Sequence, residues 1–173
     1  MRAKRQRHSD SFKAKVALAA LAFDRPFKYA TIVSDADSLG HVLFAPWRTF
    51  RPDASLDPRT TARIDATVLG MLAGYTAEWK YTGHRNRRGA ASDFEQAYEL
   101  AGYWHDGDTL EAYIGYMTLR ARDFTWSDLC WKQIEAVAAA LMESGRLKQD
   151  EVRQVIQKAH GIRELTLPKP RTH

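Results

Sequence analysis

The sequence predicts a mainly α protein, a helical bundle carrying a small β-hairpin near its N-terminus, an α+β arrangement with little β. Three observations predict it. Apolar residues recur at helical spacing through much of residues 57–160. That pattern is punctuated by helix starts and stops, notably Asp57-Pro58, Gly83, Ser127, Gly145 and Gly161. The two strand-like stretches lie close together, in Lys28–Ala45.

Taken in order, Met1–His8 reads as a charged, disordered arm. Ser9 or Ser11 can cap a helix running to Phe23, apolar nearly all round through Val16, Ala17, Leu18, Ala20 and Leu21. Pro26 ends it. Lys28–Ser34 has the β-branched content of a strand, the turn Asp35–Gly40 follows, and His41–Ala45 is its hairpin partner. Pro46 and Pro52 bound an irregular loop holding Trp47 and Phe50.

Asp57-Pro58 combines an N-cap carboxylate with proline at the first helical position, so a helix should run from there to about Tyr81, stopped by Gly83. Ile64, Val68, Met71, Leu72, Tyr75 and Trp79 form its core-facing stripe, and Gly70 and Gly74 permit close approach of another helix. His84–Gly89 is a basic loop, a solvated turn or, more sharply, a site for a phosphate or a partner's carboxylate. Ser92 should cap a helix from Asp93 to about His105, with Glu95 favouring its N-terminus. Asp106-Gly107-Asp108 reads as a turn. Helices are then expected at Thr109–Arg122, Ser127–Ser144 and Lys148–His160, the last two ending at Gly145 and Gly161.

At 173 residues the chain can bury a real core as one domain. The single Cys130 excludes an internal disulfide and a cysteine-based zinc cluster, and its place between Leu129 and Trp131 reads as a buried, inert thiol. Residues 1–15 hold six basic groups against Asp10 alone, and the remaining 158 residues balance 20 basic with 20 acidic groups. Attraction to nucleic acid or anionic lipid therefore belongs to the N-terminal arm. The longest apolar run, Val16–Phe23, is far too short to span a bilayer, and Asp24-Arg25-Pro26 replaces a signal-peptide cleavage site. A cytoplasmic location without membrane attachment is expected.

Four stretches in order carry a family resemblance. They are DRPFKYATIVSDADSLGHVLFAP, ARIDATVLGMLAGYTAEW with its L-A-G-x-x-A-E core, GAASDFEQAYELA, and the last helical pair. Together, over Asp24 to Ile156, they resemble the peptidase domain of FtsH-type AAA+ proteases, a helical zinc metallopeptidase, and above all its short stand-alone bacterial relatives. The resemblance implies that Asp93 matches the third zinc ligand and Glu78 a supporting position around the metal. It also implies an H-E-x-x-H helix just before the strand pair, two histidines binding zinc and a glutamate activating water. Laid over that motif without a gap, FKAKVALAALAFDRPF puts Phe12 and Val16 at the histidine positions and Lys13 at the glutamate. Phenylalanine and valine have no lone pair for zinc, and an ammonium neither accepts a proton nor tolerates the cation.

Residues Arg5–Leu21 have a likeness of their own: they resemble the opening of an OrfA-type transposase protein, a basic arm plus a first helix, with the recognition helix missing. The division expected is a transposase-like arm and replacement helix over 1–23, a metallopeptidase-like domain over 24–160, and a flexible tail over 161–173. The function expected is a degenerate peptidase-like domain without proteolysis, holding no cofactor and binding an unidentified protein or peptide. One alternative is a metalloendopeptidase using His41, His84 and His105 with Asp93. Another is weak, sequence-blind DNA attachment by the arm. No G-x-x-x-x-G-K-[ST] loop is present, so ATP-driven unfolding would fall to another protein. Trp47, Trp104 and Trp126 are candidates for a peptide groove or for packing.

Overall fold

The computed structural model describes residues 26–33, 41–45 and 57–159. The expected readings of the arm, the 9–23 helix, the 35–40 turn, the Trp47 loop and the 161–173 tail lie outside these residues. The described chain is mainly helical with a small antiparallel sheet. Strands β1 (Phe27–Thr31) and β2 (His41–Phe44) precede helices α1 (Pro58–Thr82), α2 (Ala91–Ala101), α3 (Gly107–Trp126) and α4 (Asp128–Ser144). Strand β3 (Arg146–Lys148) and helix α5 (Gln149–Ala159) follow.

Local chemistry explains most boundaries. The Asp57 carboxylate accepts from the backbone N–H groups of Arg59 and Thr60, 2.8 and 2.9 Å away, so α1 starts where its first free donors are satisfied. Gly83 ends α1 at φ 75°, its N–H donating to the Trp79 carbonyl at 2.8 Å. Ser127 caps α4 through Cys130 N–H, and Gly145 closes it in the same left-handed conformation.

Other boundaries differ from expectation. Ser92 does not cap α2. The N-cap position is Ala90, whose side chain is buried in the core, so packing rather than a hydroxyl sets the entry of the chain, and Ser92 instead accepts from Gln96 within the helix. That helix stops at Ala101 rather than His105, and residues 102–105 form a turn in which the Trp104 and His105 N–H groups share the Ala101 carbonyl. Asp106 and Gly107 lead directly into α3, which continues past Arg122 to Trp126. Residues 146–148 form a strand and delay α5 to Gln149.

That strand completes a sheet of order β2-β1-β3, antiparallel throughout. The expected hairpin pairs Thr31 with His41 and Phe27 with Phe44, with a bulge at Lys28. Thr31 also faces Arg146 across the sheet. The Ile32 N–H and the Thr31 hydroxyl both donate to the Gly145 carbonyl, at 2.9 and 3.0 Å, and the Phe27 N–H donates to Gln149 Oε1.

Two apolar clusters result. One joins α1, α2 and α3 around Ile64, Val68, Leu72, Tyr75, Phe94, Ile114 and Met117; it takes in the predicted α1 stripe except Trp79, which packs on Trp126. The other joins the sheet to α4 and α5 around Phe27, Ile134, Val137, Leu141, Leu147 and Val152. Cys130, expected buried, is half-buried at the edge of this second cluster, on the first turn of α4. The α3–α4 corner ties the helices of the first cluster to the start of α4. Trp126 packs edge-on against Trp79 at 4.9 Å and its Nε1–H donates to the Thr76 carbonyl, while Lys80 Nζ donates to the Trp126 carbonyl and lies over the Trp131 ring. Among the described residues no helix is long and apolar enough to cross a membrane.

Candidate functional site

Asp93 stands at the third residue of α2, half-buried, with no hydrogen-bond or ion-pair partner among the described residues. Burial holds its carboxyl pKa above the ordinary value. Glu78, near the end of α1, accepts from Asn86 Nδ2 at 3.0 Å. Both carboxylates thus border the loop between α1 and α2. Phe12, Lys13 and Val16 lie outside the described residues.

The three candidate histidines sit on separate elements. His41 is on β2, Nε2 3.4 Å from the Tyr29 hydroxyl. His84 is exposed just after α1, its backbone bonded to Thr82 Oγ1. His105 stacks on Trp104 at 5.7 Å and meets the Tyr113 ring at a tilt, 4.6 Å away. Among the described residues no three histidine, cysteine or carboxylate side chains are placed to hold a metal ion. The donor set therefore does not fit zinc on those residues.

The loop from Gly83 to Ala90 has a different kind of site beside it. Asn86 shapes this loop: its Nδ2 reaches Glu78 and its Oδ1 accepts from the Gly89 N–H at 2.9 Å. A Cβ on Gly89 would collide with that amide, so any other residue there would have to displace the Asn86 side chain. Held this way, Arg85 lays its guanidinium 4.1 Å from the centre of the Trp79 ring, and Arg87 lies 4.5 Å from that of Phe94. Neither has a carboxylate partner among the described residues.

These two arginines rim an open cleft of about 250 Å³. Tyr75 and Trp79 of α1 and Phe94 and Tyr98 of α2 form two of its walls, and α3 closes it with one face running from Glu111 to Arg122. The charges on that face are engaged. Glu111 accepts from the Tyr98 hydroxyl at 2.7 Å, and Arg122 pairs with Asp123 at 2.8 Å. Burial, then the Glu111 carboxylate, raises the Tyr98 pKa, and nearby Arg87 opposes them. Outside the cleft lining, the Tyr113 hydroxyl donates to Asp65 at 2.6 Å and fixes α3 to α1.

The cleft was only partly visible in the sequence. The basic loop was singled out, but not the aromatic walls that hold its arginines. Their signal was present: Tyr75 and Trp79, like Phe94 and Tyr98, are spaced i, i+4 on either side of Arg85 and Arg87. Of the three tryptophans proposed for a groove, Trp104 stacks on His105 and Trp126 builds the α3–α4 corner; Trp47 lies outside the described residues.

Compared with known proteins, the chain matches no protein-family model and is significantly similar to no curated protein.

Proposed function

We propose that the chain is a peptidase-like domain that has lost its zinc chemistry and acts by binding rather than by cleavage. The observation that carries this reading is the mismatch in the sequence. Where the resemblance calls for two histidines and a glutamate, Phe12, Val16 and Lys13 stand, and none can ligate zinc or accept a proton from water. The half-buried Asp93 adds support, because a single carboxylate does not hold a catalytic zinc. Glu78 is bonded to Asn86, a role that needs no metal.

Metal content of the purified full chain, measured beside an Asp93→Ala variant, tests it. The expected result is no stoichiometric zinc in either protein and no chelator-sensitive cleavage of a peptide. One zinc per chain, lost on Asp93→Ala, would overturn the reading in favour of a metalloendopeptidase with ligands recruited from elsewhere. The charge concentrated in residues 1–15 supports a second, weaker activity, salt-sensitive and sequence-blind attachment to DNA. Binding to one sequence in preference to others at physiological salt would count against that description.

A further inference from the structure

We propose that the cleft between α1, the 83–90 loop, α2 and α3 binds an acidic peptide segment of a partner protein. One apolar side chain of the peptide enters the cleft, and carboxylates flanking it meet Arg85 and Arg87. The inference rests on reading the chain as a binding domain, and not on its resemblance to a peptidase.

The charge balance selects the ligand. Arg85 and Arg87 each hold the guanidinium over an aromatic ring, 4.1 and 4.5 Å from its centre, which keeps both cations at the rim of the cleft, where a guanidinium can donate to a carboxylate. With Arg122 paired to Asp123, the described lining residues set Arg85 and Arg87 against the one carboxylate, Glu111. Its bond to the neutral Tyr98 hydroxyl leaves its charge in place, so the balance of the cleft is still positive, by one charge. A free inorganic anion would satisfy the arginines but would gain nothing from Trp79, Phe94, Ile114 and Leu119 beside them. A ligand with an apolar group next to its carboxylates uses both.

The size of the cleft selects a side chain rather than a large cofactor. Its volume of about 250 Å³ falls below the roughly 300–1,000 Å³ of pockets that enclose whole small molecules. Gly115 keeps this space open. It lies within α3 and lines the cleft, and a Cβ built on it meets nothing within 4 Å. Any larger residue at that position would project into free room.

The test is fluorescence anisotropy of a labelled peptide, Asp-Glu-Leu-Asp-Glu, titrated with the full chain at physiological salt. Saturable binding is expected. It should weaken about tenfold or more with Asn-Gln-Leu-Asn-Gln, with Asp-Glu-Gly-Asp-Glu, and for the Arg85→Gln/Arg87→Gln protein, since each removes charge-assisted bonds or the apolar anchor. Gly115→Leu should weaken it similarly by filling the cleft. Circular dichroism and melting of each variant establish that it is folded, and Gly115→Leu, at a position where a Cβ meets nothing within 4 Å, supplies a test independent of charge. No binding would overturn the proposal. Binding indifferent to Gly115→Leu and to the loss of both arginines would also overturn it, and would locate the attraction in the basic arm. Full competition by inorganic phosphate at similar concentration would overturn it as well, leaving a simple anion site. Zinc content tests the loss of metal chemistry separately, so the two readings fail in different experiments.

Discussion

The hydroxyls of Thr76 on α1 and Thr125 on α3 lie 3.1 Å apart, and both side chains are fully buried. Each also lies within reach of two carbonyls in its own helix, the nearer being Ala121 for Thr125 at 2.9 Å and Ala73 for Thr76 at 3.2 Å. Two protons cannot serve all of these contacts. The shorter contact assigns the Thr125 proton to Ala121, which leaves Thr76 to donate across the interface.

It follows that the two threonines act as a unit. Thr76→Val and Thr125→Val should each cost about 1 kcal/mol, the usual net worth of one hydrogen bond, while the double variant should cost clearly less than their sum. Urea unfolding of the four proteins measures the coupling. Strict additivity would show that the inter-helix bond contributes nothing.

Gly145 and Gly83 offer a matched pair. Both cap helices at positive φ, 71° and 75°, so alanine at either should cost about 1–2 kcal/mol in backbone strain. Their surroundings differ. A Cβ on Gly145 would sit 3.2 Å from Val33 Cγ2, whereas one on Gly83 meets nothing within 4 Å. Gly145→Ala should therefore be the more destabilising by thermal melting, and Val33→Ala in the same chain should remove the difference. Equal costs would mean that Val33, itself exposed, moves aside without penalty.

Asp93 predicts a pH dependence. Its folded-state pKa lies above the ordinary 3.8 because burial disfavours the charged form. Between those two values the folded chain binds more protons than the unfolded one, so stability falls as pH rises through the window. Asp93→Asn should consequently melt at a higher temperature than the parent at pH 7, with the gap closing below pH 3.8. A variant that melts lower at pH 7 would mean that the carboxylate has a partner, a metal ion included, that favours its charged form.

The sequence reveals those parts of the fold whose cause is local. Asp57-Pro58, Gly83, Ser127 and Gly145 act within one helical turn, and each stands where it was expected. Ser92 failed as a cap because Ala90 is drawn into the core, a demand that depends on α1 and α3 and not on the residues nearby. Arg146-Leu147-Lys148 alternates over three residues only, too short a pattern to read as a strand; it is one because β1 is there to pair with it. The cleft was hidden for the same reason, its walls coming from three helices and a loop. The neighbourhood of Phe12, Lys13 and Val16 lies outside the described residues, so the fit of that segment remains a matter of residue identity.

The pairing of β1 with β3 has a consequence for how the molecule is made. Thr31 leaves the ribosome 114 residues before the Gly145 carbonyl that receives its hydroxyl. During synthesis β1 can take β2 as its neighbour at once, but its other edge must wait until α1 to α4 have been translated. Such distant closure is slow compared with helix formation, and an open strand edge meanwhile invites pairing with another chain. Premature termination before Arg146 would make that wait permanent, turning a transient hazard of biogenesis into a sticky product.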